Sequence, residues 1–189
     1  MKHFRSLLMA VLFTAFCLQA QSQTQEEMEA WISYMQPGAM HKMMAGWDGN
    51  WEMELTQWTH PGAEASKSTA SCVTKSILGG RYSETKHTGD FMGATFEGIS
   101  VLAFDNAKKE FVNTWIDNMG TGIMIMRGTF DAGSQTIDMK GVATDPMTGK
   151  DMAVRQTIRI INDKTQQMEM YSMVEGKEFK NMSIMMKKK

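Results

Sequence analysis

The chain has 189 residues, with 20 Lys and Arg against 21 Asp and Glu, and two cysteines. Its charge is mixed and its one basic run, Lys187 to Lys189, closes the sequence, so it carries no nucleic-acid footprint. Cys17 and Cys72 are too few for a disulfide-stapled scaffold.

In chain order, the first segment is MKHFRSLLMAVLFTAFCLQAQS, residues 1–22. Lys2 and Arg5 precede an apolar run from Leu7 to Leu18, too short to span a bilayer, and small and polar residues follow. It reads as a secretory signal peptide with cleavage after Ala20 or Ser22. Phe16 before Cys17 is not the small residue that a lipoprotein signal needs. The expectation is export, periplasmic or secreted, of a soluble chain with no membrane span. Losing Lys2 and Arg5 leaves 18 basic residues against 21 acidic ones, a net charge of −3.

Residues 23–48 are predicted to be a helical cap. Met28, Trp31, Ile32 and Met35 stand at i, i+3, i+4 and i+7, one apolar stripe. Pro37-Gly38 breaks the helix, and Met40, Met43, Met44 and Trp47 continue a stripe on a second short turn. From Gly49 the period becomes two. Trp51, Met53 and Leu55 alternate with Glu52, Glu54 and Thr56, and Val154, Ile158 and Ile160 with Arg155, Thr157 and Arg159. Turn signals such as HPGA, DNAKK, DAGS, DPMTGK and NDKT punctuate the pattern. They delimit about ten strands, near 49–59, 66–78, 80–89, 94–104, 110–117, 122–131, 135–144, 152–162, 166–174 and 177–187. Hairpins with no room for crossover helices predict a mainly β domain over 49–189, an antiparallel up-and-down β-barrel whose closure removes both edges.

Gly49-Asn50-Trp51 is similar to the G-x-W that opens the barrel of lipocalins and other calycins. Over a greater length, HKMMAGWDGNWEMEL, ILGGRY, GDFMGATFEGISVLAFDNAKKEFVNTWIDNMGTGIM, DPMTGK and GKEFKNMSI resemble a bacterial domain family of unknown function, number 1579. The resemblance runs from about Met28 to Lys189 and implies a calycin-like barrel; it implies no activity. Haem-binding calycins use a histidine late in the chain, and no histidine follows His87 here, so no cofactor is expected.

Of the 21 methionines, Met1 and Met9 fall in the leader, and the remaining 19 accompany only Leu55, Leu78 and Leu102. Methionine replaces leucine in helix and strand alike, which points to flexible core filler. The alternative is a Cu(I) site at MHKMM, where Met40, His41 and Met44 offer sulfur and imidazole at helical spacing. Packing is the reading taken, with His41 capping or hydrogen-bonding. His41, His60 and His87 never take a tight zinc spacing and read as surface residues. Cys72, among small residues in STASCVTKS, reads as half-buried core and not as a nucleophile.

Chemistry is sought on the inward faces. Phe111, Asn113, Trp115 and Asp117 share one face of EFVNTWIDN; Glu97 shares one with Ile99 and Val101; Lys180 continues the face of Met182 and Ile184. The leading expectation is a binding module for a small apolar ligand. Trp51, Met53, Trp115, Met124 and Met126 would line the cavity, and Asp117, Glu97 or Lys180 would orient a polar end. An internal salt bridge such as Glu97–Lys180 is the plainer account of the charges. The alternatives are a hydrolase or isomerase using Glu97 and Asp117, or an interaction protein with a filled core. In GIMIMRG, Met124 and Met126 turn inward and Ile123 and Ile125 outward, so either the N-terminal stripe or a second copy, in a homodimer, would cover that patch.

Overall fold

The structure is a computed structural model that describes residues 24–91, 93–174 and 176–189. The signal peptide expected over residues 1–22 lies outside the described residues. Residues 24–35 form helix α1, and the chain from Pro37 onward is a compact unit of its own. On α1, the stripe residues Met28, Trp31, Ile32 and Met35 are exposed. No described helix is long and apolar enough to cross a membrane.

The second unit begins with α2 (Ala39–Ala45), a single amphipathic stretch between Gly38 and Gly46. Ten strands follow: β1 (Gly49–Gln57), β2 (Ser66–Ile77), β3 (Tyr82–Phe91), β4 (Ala94–Asp105), β5 (Glu110–Asp117), β6 (Met124–Asp131), β7 (Thr136–Thr144), β8 (Asp151–Asn162), β9 (Thr165–Val174) and β10 (Lys177–Lys188). Each pairs antiparallel with the next, and β1 pairs with β10 from Trp51↔Lys188 to Gln57↔Met182, closing the barrel. The predicted up-and-down architecture is therefore the observed one. Closure leaves no edge strand for another chain to extend.

The alternation that builds the strands also orients them. In β1, Trp51 and Met53 are buried while Glu52 and Glu54 are exposed; in β5, Phe111 and Asn113 are buried. One end of the barrel is packed solid. Met44 and Trp47 of the α2 region, Trp51, Leu102, Phe111, Ile137 and Met139 are buried together there. The Trp51 indole donates to the Trp47 carbonyl at 2.9 Å, and α2 packs against β2, β3 and β4.

The MHKMM turn packs as filler. Met44 is buried, and Met40 and Met43 lie against the core. His41 Nδ1 accepts the Gly38 backbone N–H at 3.0 Å, and its ring meets Phe104 edge-on at 5.9 Å. Burial holds the imidazole below its ordinary pKa, assisted by Arg81 and opposed by a backbone hydrogen bond to Phe104. Cys72 is more deeply buried than expected, and burial pushes its thiol up to about 12, which keeps it a neutral, inert core group.

On the outer wall, Ile123 and Ile125 are exposed as the sequence predicts, and Ile125 stands opposite exposed Val142. Ile116 on the neighbouring strand is exposed too.

Candidate functional site

Above the packed end, the inner faces do not meet. They enclose a cavity of about 410 Å³. Trp47 and Trp51 form its floor at the α2 end. At the other end it reaches Phe91, Met119, Asp90 and Asp117 around the β3–β4 and β5–β6 turns. Phe91 and Met119 are exposed, so this end is the mouth.

The wall changes character around the barrel. From β9 through β10 to β1, the lining residues include Met168, Met170, Met182, Ile184, Met186 and Met53. Continuing round the wall, the lining from β2 to β4 includes Thr74, Ser83, Thr85, His87 and Ser100. Cα pairing sets Thr74, Thr85, Ser100 and Trp115 in one row around the wall. The Thr74 and Thr85 hydroxyls are 3.0 Å apart and hydrogen-bonded. Deeper down, Asn113 Nδ2 donates to Gln156 Oε1 at 3.2 Å, joining β5 to β8. Gln166 also lines the cavity; its Nε2 is buried with no hydrogen-bond partner among the described residues.

The chemically richest part is a cluster built over Gly98. In the row above Ser100, His87, Gly98 and Asp117 pair across β3, β4 and β5. A Cβ on Gly98 would meet the Trp115 ring at 2.5 Å, so the missing side chain is what lets the indole lie down on β4. Trp115 Nε1 donates to Asp117 Oδ2 at 2.6 Å, and the Met119 N–H donates to Asp117 Oδ1 at 2.9 Å. The His87 ring stands edge-on to Trp115 at 5.1 Å, and Phe96 stacks on the same indole at 6.2 Å. Burial pushes the His87 imidazole down to about 4, so at neutral pH it is uncharged, one nitrogen donating and the other accepting.

Of the eight ligand-binding residues expected from the sequence, Trp51, Met53, Trp115, Asp117, Met124 and Met126 line the cavity. Glu97 and Lys180 do not, and both are corrected. Glu97 is exposed, because β4 turns Phe96, Ser100 and Leu102 inward. Both faces of ATFEGISVLAF carry apolar residues, so its period leaves the inner face ambiguous. Lys180 points outward because the ladder to β9 shifts register between Lys180 and Met182, absorbing Asn181. That extra residue reverses the phase, and Lys180 pairs with Tyr171, not with an inward residue. Its Nζ reaches Glu169 Oε1 at 2.9 Å, and the Tyr171 hydroxyl donates to Glu169 Oε2 at 2.7 Å. Burial raises the Glu169 carboxyl, but these hydrogen bonds outweigh it and hold it below its ordinary value. The expected Glu97–Lys180 bridge is replaced by Lys180–Glu169, and Glu97 and Asp117 share no void for acid–base work.

Two histidines read as surface residues are not there: His41 is buried on α2 and His87 lines the cavity. For His87 the signal was present in SETKHTG, where Ser83, Thr85, His87 and Gly89 alternate with Glu84 and Lys86. A small, polar inner face gives no hydrophobic rhythm, so the histidine passes for a surface residue.

A family described as "Protein of unknown function (DUF1579)" matches residues 36–188. No curated protein matches the chain. Among solved structures, Rv2717c from M. tuberculosis matches at TM-score 0.59 and 11% identity, over 82% of this chain and 99% of that one, a likeness of fold. A redesigned β-barrel matches at TM-score 0.43 and 10% identity over 80% of this chain and 99% of that one. The ywiB protein from Bacillus subtilis matches at 0.33 and 9% over 74% and 90%. The calycin likeness of Gly49-Asn50-Trp51 is not carried by these matches.

Proposed function

The chain belongs to the DUF1579 family of proteins of unknown function, and from that premise we propose that its barrel is a binding module holding a small, mostly apolar molecule. The observation that carries this reading is the cavity of about 410 Å³ inside a barrel whose other end is packed solid. Ligand sites fall in the range of roughly 300–1,000 Å³, mostly apolar with a few placed polar groups. Thioethers suit such a site because they are polarizable and adapt their shape to the guest. The signal-peptide-like pattern of residues 1–22 supports binding outside the cytoplasm.

The test uses Nile red, a neutral apolar dye, with and without Ser100→Phe. Ser100 lines the cavity, and a phenyl group there occupies the guest's space. Wild-type protein is expected to bind the dye and raise its fluorescence, and Ser100→Phe to weaken binding roughly tenfold or more, as lost apolar contact of about 1.4 kcal/mol or more requires. Equal dye binding by a folded Ser100→Phe protein would place the dye elsewhere and overturn the reading.

A second reading rests on the exposed patch of Ile116, Ile123, Ile125 and Val142. Contiguous exposed apolar surface marks contact sites, and this one suits a second copy of the chain. Light scattering is expected to give a dimer mass for the wild type and a monomer mass for Ile125→Asp. A monomer mass for both removes it.

A further inference from the structure

The two walls of the cavity differ too regularly for a uniformly oily guest. In the ten-strand order β9 stands opposite β4. Met168 on β9 therefore stands across the lumen from Ser100 on β4, and Met182 and Met186 on β10 with Met53 on β1 continue the thioether arc round to the hydroxyls that begin on β2. Among the described residues, the side chains of His87, Ser83 and Ser100 have no hydrogen-bond partner within the protein. Thr74 and Thr85 spend one hydrogen bond on each other and keep further acceptor capacity. Apart from this arc, at the start of β9 beside Met186, Gln166 is 5% exposed and its Nε2 is an N–H with no acceptor among the described residues. A buried donor left unmade costs free energy, so groups of this kind are normally matched by something.

Charge narrows the class further. No Lys or Arg is found among the described residues that line the cavity; the ionisable groups there are His87, Asp90 and Asp117. Both aspartates sit at the mouth. An anionic headgroup would meet carboxylates on entry and find no cation inside, and an unpaired buried charge is expensive.

We infer that the cavity is built for an uncharged ligand that carries most of its hydrogen-bonding groups along one edge and presents apolar surface beyond it. The inference rests on the binding reading above and deepens it. Hydroxyls or carbonyls on the polar edge meet the threonine, serine and histidine side chains of β2–β4, and the apolar surface meets the methionines of β9, β10 and β1.

Two isomers with the same atoms separate this idea from plain hydrophobic binding. In 2,3-dihydroxynaphthalene both hydroxyls lie on one edge; in 2,6-dihydroxynaphthalene they lie on opposite edges, and one must face the thioethers. Titration calorimetry at pH 7, with naphthalene and 2-naphthoate as references, is expected to rank the 2,3-isomer roughly tenfold tighter than either the 2,6-isomer or the naphthoate anion. Thr85→Val with Ser100→Ala is expected to bring the ratio of the two isomers close to one; Thr85→Val alone, nearly isosteric, covers the case in which the double variant does not fold. Equal affinity for the two isomers, or naphthoate binding as tightly as the 2,3-isomer, overturns the inference and leaves a general apolar site standing. Failure of all four probes, naphthalene included, overturns the binding reading with it.

Discussion

Alanine at Gly128 is expected to lower the stability of the barrel by about 3 kcal/mol, at the upper end of what overpacking costs. The readout is the urea midpoint at constant m-value. Gly128 lies on β6 opposite Met139 of β7, and a Cβ there would be driven into the Asp138 carbonyl and the Met139 Cα. These are backbone atoms, so no rotamer change makes room. The same device occurs two rungs away with the strands exchanged. Gly141 on β7 stands opposite Met126 on β6, and its Cβ would meet the Ile125 carbonyl, with the Met126 side chain at 2.9 Å. Each glycine thus faces one of two completely buried methionines, Met139 and Met126. The strands come close where the wall bends, and glycine is what permits it. Gly122→Ala is the control: nothing lies within 4 Å of a Cβ there, and the change is expected within about 0.5 kcal/mol. Equal, small effects at both positions would mean that β6 and β7 are not so tightly apposed.

How far the sequence foretold this arrangement depends on the strand. In β1, β5 and β6 large apolar or aromatic residues recur on the inner face, so Trp51, Met53, Trp115, Met124 and Met126 were legible as lining residues. Turn residues located the strand ends closely, because Gly, Pro, Asn and Asp mark backbone conformations that a strand cannot hold. Three features defeated the two-residue rhythm. β4 is apolar on both faces, so Glu97 was assigned to the wrong one. A bulge in β10 at Asn181 inverted the phase for Lys180, and no local residue type announces it. In β2 and β3 the inner face is hydroxyls, an imidazole and glycine, so the half of the cavity with the most hydrogen-bonding capacity was silent to a search for oil. His87 belongs to that half, and Gln166 is a polar residue at the start of the otherwise thioether-rich inner face of β9. Their positions follow from closure of the barrel, which is a property of all ten strands at once.

Acid should expose His87 through stability. Its folded-state value is about 4 against an ordinary 6.5, because burial penalises the imidazolium. Between those values the unfolded chain holds a proton on this ring that the folded chain lacks. The unfolded state then binds more protons, so stability rises with pH. The contribution is fully present above pH 6.5 and is lost as pH falls toward 4. From pH 7 to pH 5 the loss assigned to His87 is about 2 kcal/mol, an upper value because the cavity mouth admits water. His41 is also lowered by burial and pulls in the same direction over the same range. The carboxyls held low, Glu54, Asp105, Asp131, Asp145 and Glu169, act only at lower pH, below their ordinary values of 3.8 and 4.5. A comparison of wild type with His87→Gln at pH 7 and pH 5 therefore isolates one ring: the variant keeps the His41 slope and loses the rest. Urea midpoints are expected to fall more steeply for the wild type than for the variant, by the equivalent of 1–2 kcal/mol, about the upper value reduced for solvent access. Identical slopes would mean that His87 is well hydrated, and a hydrated His87 is incompatible with a cavity dry enough to favour uncharged guests.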